Sequence, residues 1–155
     1  MMIKRIEYLY TLYNNIFVYT PIVYSFFEEY TGQDKDILLS YLILPLVLNK
    51  TSRGKLVNLT SRSSLFTFCK YEECIIGLQE RIKQYKNVTN DCIQYGIDGG
   101  LFTISDSLHI EVLKSEMPEK FIADTEKMKA AKRLAKIFKS FDIPTIYRNL
   151  GVAEL

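Results

Sequence analysis

The chain has 155 residues, of which 48% are hydrophobic and 25% are charged, and its formal net charge is +2. This length suits one domain with a hydrophobic core, and the composition excludes an intrinsically disordered chain. A net charge so close to neutral does not mark the whole molecule as a nucleic-acid-binding protein, so the distribution of charge along the chain carries more information than the sum.

Residues 1–19 are rich in tyrosine and isoleucine with weak periodicity, so they fit a strand, a helix or an arm that docks elsewhere. Thr20 and Pro21 then form a helix start signal, with threonine as the N-cap and proline in the first helical position. The sequence therefore predicts a helix that begins at Thr20–Pro21 and ends near Tyr30.

The next stretch predicts a buried helix followed by a loop. Asp36 is expected to cap the helix, and Pro45 is expected to kink its last turn because it removes one hydrogen bond. Residues 49–62 are polar, basic and irregular, which predicts a loop. The apolar side chains expected to be buried on the helix are Leu38, Leu39, Leu42, Ile43 and Leu46.

The middle of the chain predicts a series of short helices. Ser63 or Ser64 caps the first, and helices over residues 72–86 and 90–96 follow from their apolar spacing. After these helices the period changes, and residues 99–113 predict a β-hairpin with a turn at 105–107.

The last third has the clearest amphipathic pattern. Residues 118–141 predict one helix with apolar and basic side chains on separate faces. Asp142 is expected to cap a final short helix that has Pro144 in its first turn and ends at Gly151.

This order of elements predicts a mainly α (α+β) fold: one helical domain with one β-hairpin, similar to a winged helix-turn-helix in which the hairpin is the wing. We expect a single domain over residues 1–155. Its expected parts are a docking arm (1–19), a helical core (20–98), the hairpin wing (99–113) and the C-terminal helices (118–150).

The residues that carry chemistry exclude several kinds of site. Cys69, Cys74 and Cys92 match neither a disulfide framework nor a zinc motif, so we expect reduced thiols, no metal and a cytoplasmic protein. His109 is the single histidine, and we interpret it as a surface residue of the hairpin. The most apolar run, residues 38–48, is shorter than the about 20 residues of a membrane span. We also see no secretory signal, and we expect no contact with a membrane.

No pattern in the sequence indicates catalysis. There is no glycine-rich phosphate loop, and one histidine leaves few ways to build a nucleophile–base pair. The pairs Glu28–Glu29 and Glu72–Glu73 are adjacent on helices, where side chains point roughly 100° apart, so we interpret them as solvated surface. We therefore expect no enzyme, no catalytic residue, no cofactor and no small-molecule substrate; an enzyme would need a carboxylate site that the sequence does not show.

Two basic blocks flank an acidic centre. Residues 36–70 carry five positive and one negative side chains and residues 114–148 carry nine and five, whereas residues 71–113 carry three and seven. Such asymmetry favours a surface that meets phosphate or an acidic partner, although a solvated loop and the wet side of a core helix are alternatives. The candidate contacts with DNA or a partner are Lys50, Arg53, Lys55, Arg62, Lys129, Lys132, Arg133, Lys136 and Lys139.

Several segments resemble a known family. Residues 42–50 read Leu-Ile-Leu-Pro-Leu-Val-Leu-Asn-Lys, and Arg53 follows. This is similar to the middle components of bacterial three-component ABC-ATPase systems, in which a Leu-Pro-Leu-Val-Leu-x-Lys helix leads into a Thr-Arg loop and a Ser-rich helix start. One departure is Ser52, which separates Thr51 from Arg53. The positions that carry the family motifs, in structural or interface roles, are Leu44, Pro45, Leu46, Val47, Leu48, Ser63, Ser64, Ile146, Tyr147, Leu150 and Gly151.

The resemblance implies a role in defence against phage or plasmids, as in Lamassu-type systems. There an SMC-like ATPase senses DNA, an effector, often a nuclease, does the damage, and the small subunit joins them. The family's small subunits also resemble winged-helix proteins that sit on SMC-type ATPases. We therefore expect a non-catalytic adaptor whose partners are an SMC-like ABC ATPase and an effector, with double-stranded DNA reached through the complex.

The alternative is a free-standing winged-helix DNA-binding transcriptional regulator. Such a protein would form a homodimer and present base-reading arginine, asparagine or glutamine side chains to a major groove. The candidate recognition helix, residues 64–70, contains the sequence Leu-Phe-Thr-Phe-Cys, which is too apolar for that task. This composition favours contact with protein over direct reading of DNA.

Overall fold

The structure is a computed structural model that describes residues 2–30, 32–113 and 117–155, without the side chains of residues 2 and 7–15. It confirms a mainly helical chain with one antiparallel hairpin. The elements are α1 (Met2–Glu29), a 3-10 turn (Asp36–Leu39), α2 (Ser40–Val47), α3 (Lys50–Val57), α4 (Leu65–Cys69), α5 (Glu72–Ile75), α6 (Leu78–Asp98), β1 (Phe102–Ile104), β2 (Ile110–Val112), α7 (Thr125–Phe138) and α8 (Ile143–Asn149).

The core forms around the second half of α1. This half packs against α7 and α6, while α2 packs against α6. Phe26 of α1 is fully buried, stacks on Tyr30 with ring centroids 5.5 Å apart, and meets Phe138 of α7 edge-to-face at 6.0 Å. Burial of large aromatic side chains supplies much of the hydrophobic stabilisation of such a core.

The predicted helix start at Thr20 and Pro21 is wrong, because α1 runs through both residues. Pro21 has no N–H to donate to the Phe17 carbonyl one turn earlier, which would ordinarily weaken the helix. Here the amide of Ile122 donates to that carbonyl at 2.9 Å. The boundary expected between the arm (1–19) and the helical core (20–98) therefore falls inside a continuous helix.

The loop predicted over residues 49–62 is also wrong, since most of it forms α3. The Asn49 side chain caps this helix by accepting the amide hydrogen bond of Ser52 at 3.0 Å. Ser52 is buried and its hydroxyl donates to the Cys74 carbonyl at 3.2 Å, while Leu56 is fully buried. A good cap and tertiary burial outweigh the polar composition of the segment.

The helices predicted over 72–86 and 90–96 have different bounds. Gly77, in a left-handed conformation with φ of 76°, separates α5 from α6, and α6 then continues without a break to Asp98. Asn90, which was expected to start a new helix, instead accepts a hydrogen bond from the Tyr41 hydroxyl at 2.6 Å.

The predicted helix over 118–141 begins later than expected. Asp124 is the N-cap of α7 and accepts the amide hydrogen bond of Lys127 at 3.3 Å, so the helix starts at Thr125. Asp36 does not cap the following helix with its side chain, which bonds to the hairpin instead. The local cap at Asp124 sets the start of α7, and a tertiary contact with Ile110 occupies the side chain of Asp36.

Four local predictions are confirmed. The hairpin forms with Phe102 opposite Val112, Ser64 caps α4, Asp142 caps α8 through the amide of Thr145, and Gly151 follows α8 with a φ of 71°. Within the described ranges, no helix is both long and apolar enough to cross a bilayer.

Candidate interaction surface

The Leu-Pro-Leu-Val-Leu motif lies in the interior of the protein. Leu44, Leu46 and Val47 have no solvent-exposed area, Pro45 is buried, and Leu48 is half-buried. These side chains act through packing, so the structure favours the structural role of this motif over the interface role.

Arg53 is occupied within the chain. Its Nη1 donates to the carbonyls of Val47 and Leu48 at 3.1 and 3.2 Å, and its Nε lies 3.3 Å from a carboxylate oxygen of Glu126. The guanidinium satisfies carbonyls at the C-terminal end of α2, which have no helical partner, and connects α2 to α7. Arg53 is thus placed to stabilise the fold more than to clamp a phosphate.

Arg81 has a similar role that the sequence did not indicate. It donates to the carbonyls of Pro45, Cys74 and Ile76 at 3.1, 2.8 and 2.8 Å, and so fastens α6 to the end of α2 and to α5. Burial lowers the pKa of Arg81. A charged residue on an amphipathic helix is expected on the solvent-exposed face, so no sequence pattern predicted these contacts for Arg81.

The other three candidate cations of the first basic block have different surroundings. Lys50 is exposed at the start of α3, and the Nζ of Lys55 lies 4.3 Å from the centre of the Tyr71 ring, a cation–π contact. Arg62 is exposed in the turn before α4. Of these three residues, Lys50 and Arg62 are exposed to solvent, whereas Lys55 is engaged with Tyr71.

Two lysines of α7 are paired with α1. The Nζ of Lys132 lies 3.2 Å from Glu28, and the Nζ of Lys139 lies 3.2 Å from Glu29. The two glutamates were interpreted as solvated surface, and the structure shows that each pairs with a lysine. Surface ion pairs of this kind are weak, but they reduce the charge that these lysines offer to a partner.

Lys129 and Lys136 are exposed on the same helix. Within the part of the chain that the structure describes, neither has an ion pair or a side-chain hydrogen bond. They lie two helical turns apart and therefore on one face of α7. Of the cations predicted on this helix, these two offer the most charge to an external ligand.

A cavity of about 530 Å³ lies between residues 59–63 and α7. One of its walls belongs to the first basic block and the other to the second, so the fold brings the two blocks together here. Arg133 donates from Nη1 to the Leu59 carbonyl and thereby links the two walls. The lining residues are Leu59, Thr60, Ser61, Ser63, Arg133, Lys136 and Ile137.

The family-motif residues near the C-terminus have structural positions. Ile146 and Leu150 are buried, and the hydroxyl of Tyr147 donates to the Leu38 carbonyl. Burial raises the pKa of Tyr147 above its ordinary value. α8 is in this way fixed to the 3-10 turn.

Asp36 and His109 form a contact that the sequence did not predict. Asp36 has no exposed area; it accepts the Ile110 amide at 2.8 Å, and its other carboxylate oxygen lies 2.6 Å from His109 Nδ1. Burial raises the pKa of Asp36, and the bond from the Ile110 amide opposes that rise. Gly32 packs so closely that an added Cβ would lie 1.9 Å from the His109 ring. Together these residues fasten the hairpin to the 3-10 turn.

The α4 helix has little to offer a DNA groove. Leu65 and Phe68 are buried, and Phe66, which is half-exposed, contacts Phe141 edge-to-face with ring centroids 5.1 Å apart. Thr67 is committed to the capping box with Ser64. This arrangement argues against the transcriptional regulator, whose recognition helix would occupy this place. Among the described residues, no group of three or more His, Cys, Asp or Glu side chains is arranged to hold a metal ion.

A comparison with protein families agrees with the resemblance seen in the motifs. The family model for the ABC-three component (ABC-3C) system Middle Component 3 matches residues 3–154. The chain belongs to this family. It is therefore a component of a multi-subunit ABC-3C system, as the Leu-Pro-Leu-Val-Leu motif indicated. Among curated proteins and solved structures, none matches this middle component.

Proposed function

We propose that this ABC-3C middle component is a non-catalytic adaptor that bridges an SMC-like ATPase and an effector subunit, with a nuclease as the expected effector. The observation that carries the proposal is the family match over residues 3–154. By analogy with Lamassu-type systems, the complex would act in the cytoplasm against phage or plasmid DNA. The winged-helix arrangement, with the hairpin as its wing, belongs to the same proposal.

The first half of α1 supplies an apolar surface suited to a protein partner. Ile3 and Ile6, three residues apart and therefore on one face of the helix, are 73% and 60% exposed. Exposed apolar side chains that are close together are typical of interaction sites, whereas single ones are common on any protein. We propose that this end of α1 contacts the ATPase.

The exposed cations support a contact with DNA through the complex. Arg62, Lys129 and Lys136 are exposed, and the paired lysines of α7 contribute less. Phosphate contacts position a protein on DNA without reading its sequence, which suits a subunit that follows an ATPase onto DNA.

Copurification tests the adaptor proposal. The full chain should copurify with the ATPase of its own system, and a double substitution Ile3→Asp and Ile6→Asp should abolish that association. The matched control Ile76→Asp changes an isoleucine that is 72% exposed between α5 and α6, and it should leave the association intact. A monodisperse monomer that ignores the ATPase would contradict the proposal.

A further inference from the structure

We infer that the cavity between residues 59–63 and α7 binds a phosphoryl group. The inference goes beyond the adaptor role, because it assigns a ligand to a cavity and holds whichever subunits the chain contacts. The cavity measures about 530 Å³, and its lining combines two cations with three hydroxyl side chains. None of the lining residues carries a carboxylate. This is the chemistry that a phosphate requires.

Arg133 is held in place before any ligand arrives. Its Nη1 donates to the Leu59 carbonyl, so the orientation of the guanidinium is fixed at the edge of the cavity. A guanidinium has several further N–H donors in a rigid plane, and these stay available to phosphate oxygens. A preorganised donor costs less conformational entropy on binding than a free side chain does.

The turn at residues 60–63 holds the hydroxyls on the opposite wall. The Ser63 amide donates to the Thr60 carbonyl at 3.0 Å, and the Thr60 amide donates to the Ser63 hydroxyl at 3.1 Å. The two hydroxyl oxygens lie 3.4 Å apart, so one hydrogen at most lies between them and the other can be donated to a ligand. The exposed Ser61 adds a third hydroxyl to the same wall.

Lys136 supplies the second positive charge. It lies three residues after Arg133 on α7, so the two side chains share a face of the helix. Lys132 and Lys139 of the same helix pair with glutamates of α1, whereas Lys136 is exposed beside the cavity. Among the described residues, no carboxylate pairs with Lys136, so its charge stays available to a ligand in the cavity.

The cavity is large enough for more than a phosphoryl group. Its volume falls within the range of about 300–1,000 Å³ typical of small-molecule sites, so the group can belong to a free nucleotide or to the backbone of a nucleic acid. The recognition chemistry is the same in both cases, and the experiment separates the two sources.

Titration of the full chain with three probes tests the inference: inorganic phosphate, a nucleoside triphosphate and a short DNA duplex, each at fixed salt. We expect saturable binding of at least one probe. Lys136→Gln should weaken this binding about tenfold, since one charge-assisted hydrogen bond is lost. Ser61→Ala should weaken it about twofold to fivefold, because one hydrogen bond from an uncharged donor is lost. Saturation by phosphate or nucleotide would assign a free anion, and binding of the duplex alone would assign a nucleic-acid backbone.

Lys70→Gln is the matched control, because it removes the same charge from an exposed lysine that does not line the cavity and has no proposed contact with DNA. It should change the affinity for each probe by less than about twofold. Equal losses in Lys70→Gln and Lys136→Gln would indicate diffuse attraction and would overturn the inference. Absence of saturable binding for all three probes would overturn it as well.

Discussion

The contact between Asp36 and the hairpin makes the most specific prediction about stability. Substitution Asp36→Ala removes the acceptor of the Ile110 amide and the partner of His109. Ile110 is 2% exposed, so water cannot readily replace the carboxylate at its amide. A buried donor left without a partner costs about 1–3 kcal/mol.

The contribution of His109 is smaller because its side chain is 29% exposed and its Nδ1 can be solvated in the variant. We expect this contribution to be below about 1 kcal/mol, so that Asp36→Ala should reduce the free energy of unfolding by about 1–4 kcal/mol in all. Asp36→Asn keeps an oxygen acceptor for the amide and should cost about 1 kcal/mol.

Urea denaturation of the wild type and the variants measures the total, and hydrogen exchange at the Ile110 amide measures the local effect. The matched control is Asp34→Ala, which removes an exposed aspartate from the same connecting segment and should change the free energy of unfolding by less than about 0.5 kcal/mol. If Asp36→Ala is as stable as the control and the Ile110 amide stays protected, the reasoning is refuted.

Three further predictions concern other contacts. Gly32→Ala should displace the His109 ring, cost about 1–3 kcal/mol by overpacking, and shift the imidazole resonances in NMR spectra; unchanged resonances would contradict the packing. The Lys127 ammonium lowers the pKa of Asp124, so this carboxylate stabilises the fold above its unfolded pKa of about 3.9, and the stability is lost as pH falls through the lower folded pKa. Asp124→Asn should therefore have a free energy of unfolding lower than that of the wild type by up to about 1 kcal/mol at pH 6, and the two should become equal at pH values below the folded pKa. Urea denaturation at a series of pH values measures this difference, and a difference that does not change with pH would contradict the assignment. Arg81→Lys should lower the free energy of unfolding by about 2 kcal/mol, because an ammonium cannot reach three carbonyls at once; a thermal unfolding curve that matches the wild type would contradict the role of the guanidinium.

Local signals in the sequence were sufficient for part of the fold. The caps at Ser64 and Asp142 depend on residues within one helical turn, and the hairpin depends on a short turn, so each could be predicted from neighbouring residues. The cap of α3 was also within reach, because Asn49 bonds to the amide of Ser52 three residues later.

The remaining errors come from partners distant in sequence. Thr20 and Pro21 carry a local signal for a helix start, but α1 passes through both residues, and the Ile122 amide bonds to the Phe17 carbonyl that Pro21 cannot reach with an N–H. The burial of Ser52 against the Cys74 carbonyl likewise depends on tertiary contacts. No pattern in neighbouring residues reports such compensation.

The candidate site was predictable as a set of residues but not as an arrangement. The sequence indicated which side chains are basic, but it could not show their different surroundings. In the structure Arg53 donates to carbonyls of α2, whereas Lys136 is exposed beside a cavity. Periodicity placed the lysines of α7 on one side of a helix, but it could not show that Lys132 faces Glu28. The ion pairs of each cation depend on how the helices pack.

We propose that the chain bridges two other subunits of its ABC-3C system. The most direct test is an omission experiment in which the ATPase and the effector are expressed together, with and without this chain, and the mass of the purified complex is measured. We predict that the effector copurifies with the ATPase when the chain is present and is lost when it is omitted. A stable complex of ATPase and effector that forms equally well without the chain would contradict the claim.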